Sequence, residues 1–188
     1  VCDISSSAAV KGMVAAVIND FSKVDILINN AGISGIPKPL IDFPEEEFDS
    51  VVKTDLYGTF YAMKYVVPHM IDQNYGRIVN ISSINGLRGK FGQTNYSASK
   101  GGEIAMSKTL ARELGKFNVN VNVVAPGMVM TEMARNIPPE FLNKAIDETV
   151  VGRIATPEDC ANIVVFLCSD SARHITGEVI KIDGGQYI

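Results

Sequence analysis

A chain of 188 residues, 46% hydrophobic and 20% charged, has the balance of a globular domain, which excludes the disordered, collagen-like and low-complexity classes. Its net charge of −4, from 17 basic and 21 acidic residues, disfavours a nucleic-acid partner, which calls for a basic face. No apolar run approaches the ~18 residues of a membrane span, so no membrane association is expected. Cys2, Cys160 and Cys168 form no CxxC pair, and an odd count without a framework reads as reduced thiols in a cytoplasmic protein. His69 and His174 are the only histidines, too few for a multi-histidine zinc site, so no metal is expected. The chain opens Val-Cys-Asp-Ile and shows no secretory leader. The GxSxG elbow of hydrolases is also missing.

In chain order, Ser5–Ser22 carries Val10, Met13, Val14, Val17, Ile18 and Phe21 on one helical face. Val24–Asn29 is a short apolar run that predicts a buried parallel strand. Pro44–Met70 predicts one long helix, with Glu45–Glu47 at its positive end. Arg77–Ile81 is the next strand, Asn95–Gly115 the next helix, and Val119–Ala125 a strand ended by Pro126-Gly127. Thr156-Pro157-Glu158-Asp159 starts a helix that runs to about Leu167, and Glu178–Ile182 is the last strand, closed by Gly184-Gly185. This alternation predicts an α/β fold, a doubly wound parallel sheet with helices on both faces and one domain over residues 1–188. Met128–Ile154 shows little periodicity and predicts a lid or binding loop.

Ligands of such sheets bind beyond the carboxyl ends of the strands. Those ends are Asn29-Asn30-Ala31-Gly32, Ser82-Ser83 and Pro126-Gly127, although strand-ending turns use the same residue types. Tyr96 and Lys100 lie four apart and share a helix face. A neighbouring ammonium favours the phenolate, which lets a tyrosine serve as a general acid or base. The pair alone is weak evidence, since chance supplies this spacing readily in a chain with 6 tyrosines. Ser83 strengthens it: a strand-end hydroxyl and a helix-start phenol can meet at one sheet edge across the glycine-containing stretch Ile84–Asn95. The competing reading of Ser83 is a helix or turn cap.

Taken together, these pieces resemble the short-chain dehydrogenase/reductase family. The matching segments are Asn29-Asn30-Ala31-Gly32, Gly76–Ser83, Tyr96-Ser97-Ala98-Ser99-Lys100, Pro126-Gly127 with Thr131, and Gly177 to Asp183-Gly184-Gly185, with 13 residues from Ser83 to Tyr96. The resemblance implies a Rossmann-like fold and an oxidoreductase that moves a hydride between NAD or NADP and a ketone or secondary alcohol. It gives Tyr96 the acid/base role, Lys100 the tuning of Tyr96 and the ribose hydroxyls, and Ser83 the carbonyl oxygen. It places Asp3 and Ile4 at the adenine, Asn29, Ala31 and Gly32 along the adenosine ribose, and Pro126, Gly127, Val129 and Thr131 at the carboxamide and phosphates. Asp55, in Thr54-Asp55-Leu56, stands where the family carries an asparagine that relays protons to the lysine. Its carboxylate adds a negative charge, and Asp55→Asn is expected to keep or raise turnover.

Within the family the pattern is most similar to that of 3-oxoacyl-(acyl carrier protein) reductases. Asp72-Gln73-Asn74 and Lys116-Phe117 give carrier-protein docking only one base, so a small ketone, a hydroxyacyl-CoA or another acyl thioester, or a cyclic alcohol fits as well. Specificity is expected from Ile84–Asn95 and from Met128, Val129, Met130, Met133, Ile137, Phe141 and Leu142, a methionine-rich apolar set. The alternative function is a non-catalytic dinucleotide-binding or scaffold subunit, or an inactive fragment; intact Ser83, Tyr96 and Lys100 argue against these. The small residues Ala98, Gly101, Gly102, Ala105 and Ala111 permit close helix pairing, and the resemblance implies a homotetramer. It also implies a preceding βαβαβ portion of roughly 60 residues, with the phosphate loop and the determinant of NAD against NADP. Without that portion the segment alone is expected neither to fold cooperatively nor to bind cofactor.

Overall fold

A computed structural model describes residues 1–131, 134 and 138–188. Met133 and Ile137, assigned above to the lid, lie outside the described residues. Four parallel strands pair in chain order: β1 (Ile26–Asn29), β2 (Gly76–Ile81), β3 (Val119–Pro126) and β4 (Val179–Ile182). Asn29 lies beside Asn80, Ile81 beside Val124 and Pro126 beside Ile182. All four carboxyl ends therefore reach one edge of the sheet.

Helices cover both faces, as the alternation predicts. On one face lie α1 (Ser7–Phe21), α3 (Gly58–Asp72) and α5 (Thr94–Leu114). Val10, Val14, Met63, Val66 and Met70 there bury against Ile78, Val119 and Val121 of the sheet. On the other face lies α7 (Pro157–Cys168), whose Leu167 packs on Val79 and Val124. The period-2 alternation sends Ile78 and Val79 to opposite faces. In the first half of β3 the even positions are polar: Asn120 and Asn122 both donate to the Ile175 carbonyl at 2.8 Å, tying the loop before β4 to the strand. Thr156 caps α7 through a reciprocal box with Asp159, which satisfies two otherwise orphaned donors. No helix of the described residues is long and apolar enough to cross a membrane.

Three elements differ from the sequence expectation. The long helix is not uniform: α2 (Glu45–Val51) passes through a π-helical segment, Val52–Tyr57, into α3, which runs past Met70 to Asp72. A π segment widens the turn and rotates the following face, and such segments recur at functional sites. Here it carries Asp55 into the interior. The stretch after Ser83 forms α4 (Ile84–Arg88), capped by the Ser83 hydroxyl. The stretch Met128–Ile154, expected to be a lid or binding loop, contains α6 (Pro139–Asp147). Its two prolines start that helix, because the ring presets φ and the first-turn N–H has no partner to lose.

Candidate active site

β2 is followed by Ser82-Ser83, and the chain turns at once into α4, which crosses the start of α5. The Ser82 hydroxyl donates to the Lys100 carbonyl at 2.8 Å. Gly86 of α4 meets α5 backbone to backbone: a Cβ at Gly86 would stand 2.6 Å from the Lys100 carbonyl carbon. The crossing thus requires glycine, and it holds Ser83 near Tyr96. Ser83 Oγ accepts the Asn85 N–H at 3.1 Å. Its own O–H remains a donor, directed toward the Tyr96 phenol, beside which a ligand oxygen would also meet it. The cap and the site reading of Ser83 therefore hold together. Asn95, fully buried, braces the start of α5 by accepting the Tyr96 N–H at 2.7 Å and donating to the Glu47 carbonyl at 3.2 Å.

Tyr96, Lys100 and Glu103 follow at i, i+4 and i+7 on one face of α5. The Lys100 ammonium donates to the Ile81 carbonyl at 2.9 Å and to both Glu103 oxygens, at 3.0 and 3.2 Å. It stands 3.7 Å from Asp55 Oδ2 and 5.8 Å from the centre of the Tyr96 ring. Asp55 Oδ1 accepts the Ile33 N–H at 2.8 Å, while Oδ2 has no hydrogen-bond partner among the described residues. Thr59 donates to Glu103 Oε1 at 3.3 Å. Two carboxylates and one ammonium thus share a site in which Asp55 is 0%, Glu103 1% and Lys100 4% exposed.

Burial sets the titration of this group. It pushes Glu103 up to about 7, with the Lys100 ammonium offsetting only part of the rise. It also raises Asp55, against Lys100 and the Ile33 N–H. On Lys100 burial disfavours the charge, but Glu103, Tyr96 and Asp55 outweigh it and hold the ammonium above its ordinary value. The expectation that Lys100 brings the phenol down is met only in part. Burial raises Tyr96 on balance, while Lys100 and the neighbouring Ser83 hydroxyl pull it downward. Sequence reasoning missed Glu103. Its signal was the spacing from Tyr96 and Lys100, which puts a carboxylate on their shared face.

The other sequence-predicted residues lie along the same sheet edge or lead into it. Asp3 is exposed, and its carboxylate accepts the Ser5 N–H and hydroxyl at 2.9 and 2.8 Å, which hold it below the usual range. Ile4 packs over Gly58, where a Cβ would meet Ile4 Cδ1 at 2.8 Å. Asn29 donates to Asn80 Oδ1 at 2.7 Å, and Asn80 to Ser107 at 2.8 Å, so the Asn29 amide is braced from beneath. Ala31 and Gly32 are exposed beyond β1, and a Cβ at Gly32 would come within 3.2 Å of the Asp55 carboxylate. Pro126 closes β3, and Gly127 donates its N–H to the Ile182 carbonyl at 3.0 Å. Val129 bridges to Ala155, and Thr131 is exposed. The segment after α6 is tied down by Gln186, which donates to Glu148 at 2.8 Å, and by the Arg88–Glu148 pair at 3.5 Å.

Comparison with known proteins gives the same picture over nearly the whole chain. A family model described as enoyl-(acyl carrier protein) reductase matches residues 1–186. The 3-oxoacyl-(acyl carrier protein) reductase FabG of Thermotoga maritima is 42% identical over all of this chain and 76% of its own length. The acetoacetyl-CoA reductase of Rhizobium meliloti is 44% identical over 98% of this chain and 77% of its own length. The FabG protein of Staphylococcus epidermidis is 38% identical over 99% of this chain and 76% of its own.

Proposed function

Because the chain belongs to the short-chain dehydrogenase/reductase family, we propose that it reduces 3-oxoacyl thioesters to 3-hydroxyacyl thioesters, with Tyr96 as the proton donor. The observation that carries the reading is the α4–α5 crossing, which gathers Ser83, Tyr96 and Lys100 at one sheet edge. The relatives' names support the thioester, carried by an acyl carrier protein in two of them and by CoA in the third.

The residues at the edge fit a nicotinamide dinucleotide. Two positions at this edge leave no room for a side chain: at Gly127 a Cβ would come 2.6 Å from Gln186 Oε1, and at Gly32 3.2 Å from the Asp55 carboxylate. Asn29, Ala31 and Gly32 would hold its adenosine ribose, with Asp3 and Ile4 toward the adenine. Pro126, Gly127, Val129 and Thr131 would hold its carboxamide and phosphates, and Lys100 its second ribose. The cofactor, NADH or NADPH, supplies the hydride.

Ser83 donates its O–H to the substrate carbonyl oxygen and fixes its direction. Tyr96 delivers a proton to that oxygen as negative charge builds on it. Lys100 stabilises the phenolate left behind and is then the nearest charged donor from which the proton can be restored. The exposed Tyr57 and Phe60 near the start of α3, and Val165 and Phe166 on α7, support assembly into a homotetramer. The three free cysteines support a cytoplasmic location.

The test is oxidation of NADH and NADPH by the whole protein, followed by absorbance, with acetoacetyl-CoA, an acetoacetyl carrier-protein thioester, a crotonyl thioester and a simple ketone. Turnover of acetoacetyl thioesters without reduction of the crotonyl double bond is expected. Turnover of the crotonyl thioester or the simple ketone alone would reject the 3-oxoacyl assignment.

A further inference from the structure

We propose that Glu103 is a positioning residue of the reaction: it competes with Tyr96 and Asp55 for the Lys100 ammonium and so sets how readily Tyr96 parts with its proton. The inference rests on the acid role of Tyr96 given above and assigns a residue outside that reading.

An ammonium has three N–H groups. The Ile81 carbonyl takes one, and the two Glu103 oxygens, at 3.0 and 3.2 Å, engage the side that would otherwise turn to Asp55. Asp55 Oδ2, fully buried and 3.7 Å away, is left without a hydrogen bond among the described residues. A buried carboxylate oxygen held at ion-pair distance from a cation, yet without a hydrogen bond to it, indicates that a stronger competitor takes the cation's N–H groups. That competitor is Glu103, one helical turn along from Lys100 on the same face.

The groups that face Glu103 are Lys100 and Tyr96 on α5, Asp55 on the π segment and Thr59 on α3. With Glu103 ionised, the cluster of Lys100, Asp55 and Glu103 carries one net negative charge, which opposes formation of a phenolate at Tyr96. With Glu103 protonated the cluster is neutral, and the ammonium is free to turn toward Asp55 and Tyr96. Glu103 thus couples its own proton to the acidity of the phenol, and its ionisation near pH 7 puts that coupling within the working range.

Glu103→Gln keeps the volume and removes the charge. Lys100 is not stranded by it, because Asp55 remains as its partner. In the alcohol-oxidising direction, which needs the phenolate, the variant is expected to run about three- to tenfold faster than wild type near pH 8.5, a shift of half to one pKa unit in the phenol. The two rates should converge below pH 6, where Glu103 is protonated in the wild type, and again on the alkaline plateau.

A second readout needs no turnover. Glu103 keeps its proton to about pH 7 when folded, against an ordinary 4.5. The folded state therefore binds more protons in that window and loses stability as pH rises through it. The melting temperature of Glu103→Gln should gain on wild type between pH 5 and 8. Should that variant fail to fold, Thr59→Val removes the 3.3 Å hydrogen bond that favours the ionised carboxylate and should move the inflection near 7 upward. Rate profiles that superimpose, or an unmoved inflection in Thr59→Val, overturn the coupling while Tyr96→Phe remains inactive. An active Tyr96→Phe overturns the acid role itself, and the coupling with it.

Discussion

Tyr96→Phe is expected to lower turnover by about 10²–10⁴-fold, the range of a positioned general acid, with little change in melting temperature. The substitution removes one oxygen and keeps the ring, so the apolar contacts of the half-buried side chain at the start of α5 persist. Lys100 keeps its bonds to Ile81 and Glu103, neither of which involves the phenol. What disappears is the proton donor. Burial holds the phenol above its ordinary value, so at neutral pH it carries its proton, the form that ketone reduction needs. Alcohol oxidation needs the other form, and its rate should rise with pH until the phenol has titrated. Tyr96→Phe should flatten that rise as well as lower the rate. Steady-state rates in both directions, with melting curves as the control, check this. Activity within about threefold of wild type is below any positioned general acid and would refute the role.

The sheet and its functional edge were legible in the sequence because the strands are continuous apolar runs that stop abruptly. Val-Asp-Ile-Leu-Ile-Asn and Arg-Ile-Val-Asn-Ile end in polar and small residues, since the carboxyl end of a parallel strand must admit a ligand; the burial expected of the first run fails, because β1 lies at the end of the strand order and leaves Ile26 and Ile28 exposed. Tyr96 and Lys100 were legible by helical spacing. The same rule applied once more would have reached Glu103, but a glutamate on a helix ordinarily reads as a solvated face, and only the fold shows it 1% exposed. The π segment left no mark because Val51, Asp55, Gly58 and Thr59 keep near-helical intervals through it. The added residue in the turn decides that Asp55 points inward, and that choice is made by packing against α5. Helices α4 and α6 were hidden for a different reason. Five residues containing a glycine, and nine entered through a Pro-Pro pair, are too short for periodicity to rise above loop composition.

Gly86→Ala sets two opposing effects against each other, and their sizes predict the outcome. An alanine in a helix interior gains about 1 kcal/mol over glycine in propensity. Gly12 shows that gain unopposed: it lies within α1, a Cβ there meets nothing within 4 Å, and Gly12→Ala should raise the melting temperature without touching activity. At Gly86 the added Cβ would fall 2.6 Å from the Lys100 carbonyl carbon and 2.8 Å from the Gly101 nitrogen. Both are backbone atoms of α5, so no rotamer relieves the contact, and α4 must withdraw by about 1 Å to reach ordinary packing distance. Overpacking of this kind costs about 1–3 kcal/mol, enough to cancel or exceed the propensity gain. The larger consequence is geometric. Ser83 is the cap of α4, while Tyr96 and Lys100 belong to α5, so the whole displacement falls between the hydroxyl that orients the carbonyl and the phenol that protonates it. A misplacement of about 1 Å costs on the order of 10²-fold in rate. Gly86→Ala should therefore lose about that factor in kcat while its melting temperature falls only modestly. A variant that melts lower but turns over like wild type would show that the α4–α5 crossing supports the fold and does not set the distance on which proton delivery depends.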